Sequence, residues 1–153
     1  MKKTLLYLPL LLAALMLGLL PAACSDGDTE EEPIVPTELP AEAKTLLDTY
    51  FTGYEIVQTI RNNDTPVTYE VWFRGGGKVK FDAQGRWYEA EADRDRALPT
   101  GFYPLPIDTY VAANYSGAYI DEIDREPYGY DVDLNTGVDL RFNADGAFLG
   151  INR

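Results

Sequence analysis

One stretch occurs twice in this chain, and it constrains the fold more than any other feature. Tyr69-Glu70-Val71 leads to Phe81-Asp82-Ala83-Gln84-Gly85, and Tyr130-Asp131-Val132 leads to Phe142-Asn143-Ala144-Asp145-Gly146. The offset is 61 residues at both ends, and Gly76 falls opposite Gly137 at the same offset. Each copy reads as strand, glycine turn, strand and tight turn. Two units of roughly 50 to 55 residues would each bury too little surface to stand alone, so the duplication predicts a shared core.

Around each copy the periodicity fills in the rest. Leu39-Pro40 opens the first unit, with Pro40 in a first helical turn where its missing N–H costs nothing. Ala43, Leu46, Leu47, Tyr50 and Phe51 follow helical spacing, and Gly53 supplies a left-handed stop. The second unit repeats the device with Leu105-Pro106, then Ile107, Tyr110, Val111 and Tyr115, stopped by Gly117. Strands are predicted after each helix. Tyr54 to Arg61 matches Ala118 to Asp124, and Tyr69, Val71 and Phe73 match Tyr130, Val132 and Leu134. Val79 and Phe81 match Leu140 and Phe142, and Arg86 to Glu91 matches Ala147 to Ile151, with Trp87 opposite Phe148. Period-two alternation with one polar row describes an antiparallel sheet wet on one side. The turns Asp82 to Gly85 and Asn143 to Gly146 begin with a short polar side chain and end in glycine, as a type I turn with a glycine bulge requires. The predicted fold class is α+β: a helix plus four strands (αββββ) used twice, in one continuous antiparallel sheet with both helices on one face.

The N-terminus reads as an address. Lys2 and Lys3 precede an apolar run from Leu5 to Leu20 and then Pro21-Ala22-Ala23-Cys24, the layout of a secretory signal. The lone cysteine at this place resembles the lipobox of bacterial lipoproteins, differing in Pro21 where leucine is usual. That resemblance implies lipidation at Cys24, removal of residues 1–23, and a membrane contact made through the lipid alone. Residues 24–38 hold six acidic side chains and little to bury, so a disordered acidic tether is expected. An acidic run here also resembles a surface-export signal of some Gram-negative lineages, so an outer-membrane anchor facing the periplasm and one facing the outside both stay open. Unit 1 is then 39–98 and unit 2 is 99–153.

Composition excludes much chemistry. There is no histidine, one cysteine, and serine only at Ser25 and Ser116, which removes the usual general base, thiolate metal clusters and most nucleophiles. With Lys2 and Lys3 removed, 25 acidic side chains face 11 basic ones, a net charge of −14 that opposes nucleic acid. Asp131-Val132-Asp133-Leu134-Asn135 begins like an EF-hand loop, but its sixth and twelfth places hold Thr136 and Phe142 instead of glycine and glutamate. Glu89 with Glu91, and Asp121, Glu122 and Asp124, are carboxylate groups that read as solvated surface, with no neighbour in sequence to split their pKa values. Gly75-Gly76-Gly77 precedes a strand and reads as a hairpin turn rather than a phosphate loop. No catalytic residue, metal or cofactor is expected.

The twin helix starts, the Tyr-x-Val strands and the Phe-[Asp/Asn]-x-x-Gly-x-[Trp/Phe] hairpins together resemble the PepSY-like family likened to the β-lactamase inhibitory proteins. The resemblance covers nearly all of residues 39–153. It implies a tandem helix-plus-four-strand fold, export, and no established activity; some members carry a calcium-regulated label.

The polar sheet face then becomes the candidate binding surface. It is expected to present Glu70, Trp72, Arg74, Lys78 and Lys80 from unit 1 and Asp131, Asp133 and Arg141 from unit 2. Exposed Trp and Arg are favoured as anchors, and a charge step orients a partner. The expected function is a non-catalytic envelope lipoprotein that binds a protein or peptide on this face, inhibitor-like. The alternative is a periplasmic small-ligand or calcium-responsive sensor.

Overall fold

The computed structural model describes residues 31–152. Helix α1 (Ala41–Tyr50) follows Pro40, and Ala43 and Leu47, one turn apart, are its buried residues. Phe51 N–H closes the last turn on the Leu47 carbonyl, and Gly53 at φ 85° turns the chain away. Helix α2 (Leu105–Asn114) follows Pro104 in the same way and buries Ile107 and Val111.

Helix α2 starts at Leu105 with Pro106 in its first turn, as the sequence predicts, but Leu105-Pro106 is not the structural equivalent of Leu39-Pro40. Leu39 is buried at 2% exposure whereas Leu105 stands out at 69%. The hairpin glycines reveal the true correspondence. A Cβ on Gly85 would lie 2.8 Å from Pro40 Cβ, and one on Gly146 would lie 3.0 Å from Pro104 Cβ. Each turn glycine therefore lets a helix-opening proline sit against it, and the partner of Leu39-Pro40 is Tyr103-Pro104. Tyr103, like Leu39, is buried.

After α1 come β2 (Ile56–Asn62), β3 (Thr68–Phe73), β4 (Lys78–Asp82) and β5 (Trp87–Glu91). After α2 come β6 (Ile120–Glu126), β7 (Gly129–Leu134), β8 (Asp139–Asn143) and β9 (Phe148–Ile151). With β1 (Glu31–Pro33) at the front, the nine strands form one sheet in chain order, every neighbour antiparallel. The tight turns are built alike. Asp82 Oδ1 accepts from the Gln84 and Arg86 amides, and Asn143 Oδ1 accepts from those of Asp145 and Ala147, all at 2.8–3.0 Å.

Strand β1 corrects the expected tether. The stretch to Glu38 was read as disordered because its side chains have little to bury, yet from Glu31 it is ordered. It pairs its backbone with Ile60, Arg61 and Asn62 at the edge of β2, and Glu32 forms an ion pair with Arg61. A main-chain ladder asks nothing of side-chain hydrophobicity. A short acidic strand ending in proline also blunts that edge against further pairing.

Val71, Val79, Ala90, Ile123, Val132 and Leu140 are paired in turn across β3 to β8, and each has no exposed surface. Directly paired residues share a face of the sheet. Phe51 stacks on Phe73 at 5.2 Å and Tyr110 meets Phe142 edge-on at 5.5 Å, so both helices lie on the face that carries this row. A single apolar cluster runs through both halves.

The halves join where β5 pairs with β6. Trp87 points into the core, where it meets Phe102 at 5.0 Å and Tyr130 at 6.1 Å. Phe102 comes from the connecting segment and also touches the rings of Tyr50 and Phe51. The aromatic end of that segment fills the gap between α1 and β5.

Candidate functional site

The face opposite the helices is set by the residues between those of the buried row. One line of paired positions reads Trp72, Lys78, Glu91, Glu122, Asp133 and Asp139. The next reads Glu70, Lys80, Glu89, Asp124, Asp131 and Arg141. Lys78 and Lys80 stand toward one end and Arg141 ends the second line at the other, while carboxylates fill the middle around the β5–β6 junction and reach the end of the first line at Asp139.

The lysines expected to be free for a partner are engaged. Lys80 pairs with Glu89 at 2.8 Å, and Lys78 pairs with Glu89 at 3.3 Å and with Glu91. Burial alone would lower the pKa of Lys78 and of Lys80, but the glutamates more than offset it and hold both above the usual lysine range. Trp72 is half-buried. Its indole N–H donates to Glu70 Oε2 at 3.2 Å, and the Lys78 ammonium stands 5.4 Å from the ring centroid. Arg141 pairs with Asp131 at 3.4 Å and donates to Asn152 at 2.9 Å.

Arg74 does not belong to this face. It follows the end of β3, and its guanidinium grips both carboxylate oxygens of Glu55 at 2.6 Å in solvent. The alternation of Glu70, Trp72 and Arg74 breaks because the strand stops at Phe73, where the chain turns through the glycines. An exposed pair of this kind contributes little. Arg74→Ala is accordingly expected to leave the melting temperature unchanged by calorimetry.

Beyond the lysines the carboxylates are uncompensated: among the described residues Glu122, Asp124, Asp133 and Asp139 make no ion pair. Partial burial, then the charges of Asp124, Glu91, Glu89 and Asp133, push Glu122 up to about 7. Asp124 rises to about 6, first from burial and then from Glu89, Asp133, Glu126 and Asp131. Burial and then Asp139 and Asp131 raise Asp133 as well. The reading of Glu122 and Asp124 as ordinary solvated carboxylates is therefore overturned. Neighbours two along β6 contribute, Asp124 on Glu122 and Glu126 on Asp124, and the paired strands add Glu89, Glu91, Asp131 and Asp133, which the sequence alone does not place beside them.

Carboxylate oxygens of Glu89, Glu91 and Glu122 lie within 4.8 Å of one another, close enough to share a cation. Two of the three are already neutralised by Lys78 and Lys80. The stretch that begins like a calcium loop is strand β7. Asp131 and Asp133 lie on the open face, and Asn135 Oδ1 accepts the Tyr119 amide at 2.9 Å. Cys24 lies outside the described residues. The site residues missed by sequence reasoning are Glu89, Glu91, Glu122 and Asp124. Their signal was present in the acidic alternation of the last strand of one unit and the first of the next, and it emerges only once those strands are paired.

The model of a family described as "Putative beta-lactamase-inhibitor-like, PepSY-like" matches residues 67–150. Solved structures give similar chains from Bacteroides. A protein from Bacteroides vulgatus, described as a putative periplasmic protein of the DUF2874 family, is 30% identical, with 83% of this chain and 100% of that chain covered and a TM-score of 0.74. A "putative calcium-regulated periplasmic protein" from Bacteroides thetaiotaomicron is 28% identical, with 80% and 97% covered and a TM-score of 0.75. A "putative periplasmic protein of unknown function" from Bacteroides vulgatus is 25% identical, with 80% and 99% covered and a TM-score of 0.72. No curated protein matches.

Proposed function

The chain belongs to the PepSY-like, β-lactamase-inhibitor-like family, and from that premise we propose that it is a non-catalytic binding module of the cell envelope, which takes a cationic protein or peptide on the open face of its sheet. The observation that carries this reading is the crowding of the partly buried Glu122, Asp124 and Asp133, with exposed Asp139 beside them and none of the four in an ion pair among the described residues. Like charges held together cost free energy that an incoming cation relieves. Trp72 and the Lys78–Glu91 pair border this stripe and frame the partner; the centre of the surface is the junction between the halves.

The wider assignment is of the same kind. The halves are copies of one αββββ unit, the chain is exported like the periplasmic proteins it is similar to, and a lipid at Cys24 holds it to the envelope with residues 25–30 as the leash. The membrane contact is the lipid alone, and nucleic acid is repelled by the same stripe.

Titration with a Lys/Arg-rich peptide tests the reading. Binding is expected to weaken as salt rises, and the Glu122→Gln/Asp133→Asn variant is expected to bind roughly tenfold more weakly with an unchanged fold. Equal affinity in the variant refutes it. A second reading, a divalent-cation sensor, is favoured by the proximity of Glu89, Glu91 and Glu122 and by the description of the thetaiotaomicron protein. Here a cation has to displace Lys78 and Lys80 first, so calcium is expected to give no calorimetric signal below the millimolar range. Tight calcium binding lost in Glu122→Gln would establish this second reading instead.

A further inference from the structure

The two halves differ at their closing strands. In the first, Trp87 and Ala90 of β5 are 3% and 0% exposed, because β6 extends the sheet and Phe102 fills the space beside α1. At the 61-residue offset their counterparts in β9 are Phe148 and Ile151, which are 36% and 58% exposed. Beside them a groove of about 520 Å³ opens along α2, lined by Leu105, Pro106, Tyr110, Ala113 and Phe148 among others. Leu149 adds an exposure of 55%. Inside the chain the equivalent edge is covered by another strand; among the described residues nothing covers that of β9.

We propose that β9 pairs antiparallel with β9 of a second copy, continuing the sheet through a twofold axis. The other free edge of the nine-stranded sheet is β1. That opposite edge is blunted by Glu31, Glu32 and Pro33, whereas Phe148–Ile151 has no charge and no proline. The β9 sequence also complements itself. Phe148 and Ile151 pair with Phe142 and Leu140, both buried on the helix side, so both face that side. Setting Phe148 opposite Ile151 of the other copy brings the same apolar contact twice. A bulge puts Phe148 and Leu149 together opposite Phe142, which is why Phe148 and Ile151 share a face, so the same register sets Gly150 opposite Gly150 and leaves Leu149 as the extra residue at each end of the joint. The open-face neighbour of Gly150 is Arg141, so the joint falls beyond the cationic end of the acidic stripe and two acidic chains meet without opposed carboxylates.

Sedimentation of residues 25–153, which contain every described element, tests this. A dimer is expected at roughly 100 µM, persisting at about 1 M salt where binding to the acidic face is lost. Ile151→Lys and Leu149→Lys, both at exposed positions, are each expected to weaken the dimer at least tenfold with unchanged thermal melting, and Glu32→Lys at the other edge to leave it intact. A monomer at that concentration, a dimer indifferent to both β9 variants, or one broken by Glu32→Lys overturns the proposal.

Discussion

Trp87→Ala is expected to lower the stability of the entire chain by about 3 to 5 kcal/mol, in one unfolding transition. Trp87 is 3% exposed, touches Phe102 and Tyr130, and has the Arg125 guanidinium 4.5 Å from its ring centroid. It thus contacts the connecting segment and two strands of the second half from a strand of the first. Truncation leaves a cavity at the joint that rigid strands on both sides cannot close. Neither half holds a core of its own, since the buried cluster is continuous, so the loss falls on both together. Urea unfolding followed by far-UV circular dichroism, and by the fluorescence of the remaining Trp72, is expected to give coincident curves. Separate transitions would mean that the halves fold independently.

Glu122→Gln is expected to stabilise the protein above neutral pH and to remove part of its pH dependence. The carboxyl rises from its ordinary 4.5 to about 7 on folding, so between those values the folded chain holds more proton than the unfolded one. Stability contributed by this group is complete below about pH 4.5 and falls as pH rises to 7. After discounting for solvent exposure, the penalty at pH 8 is about 1 to 2 kcal/mol. Asp124 works in the same direction in a lower window, from 3.8 to about 6. Asp82 and Glu55 oppose them, since contacts with Arg86 and Arg74 hold both below the usual range. Thermal melts from pH 4 to 8 check the sign. A variant that melts no higher than the parent at pH 8 removes the electrostatic basis of the site.

Much of the fold was legible because period-two alternation and the glycine turns are local signals. Tyr69, Val71 and Phe73 declare their face wherever the strand is placed, and Asp82 to Gly85 closes the turn it encodes. The start of α2 was legible but its correspondence with α1 was not, because a matching dipeptide, Leu105-Pro106, sits two residues after the structural equivalent of Leu39-Pro40. Burial of Tyr103 against exposure of Leu105, and the closer approach of Pro104 to Gly146, decide between them, and both are tertiary. The segment at Glu31–Pro33 escaped notice because backbone pairing leaves no mark in side-chain hydropathy.

The candidate surface was half legible. Which residues face outward followed from alternation, including Glu70, Trp72, Lys78, Lys80, Asp131, Asp133 and Arg141. Their energetics did not, because these depend on the lateral order of strands. Placing β5 against β6 sets Glu91 beside Glu122 and Glu89 beside Asp124, which turns unremarkable carboxylates into a crowded group, while β4 against β5 sets Lys78 and Lys80 beside Glu91 and Glu89 and engages the lysines expected on the binding face. Arg74 was lost for the opposite reason, since the strand ended one residue before it.

The most direct test of a cation-binding stripe is the proton count on binding. Calorimetric titration of residues 25–153 with a Lys/Arg-rich peptide near pH 6.5, repeated in buffers of different ionisation enthalpy, reports that count. An arriving cation lowers the pKa values of Glu122 and Asp124, so net proton release is expected, diminished in Glu122→Gln and Asp124→Asn. Binding heats that do not depend on the buffer, or no binding at low salt, would contradict it.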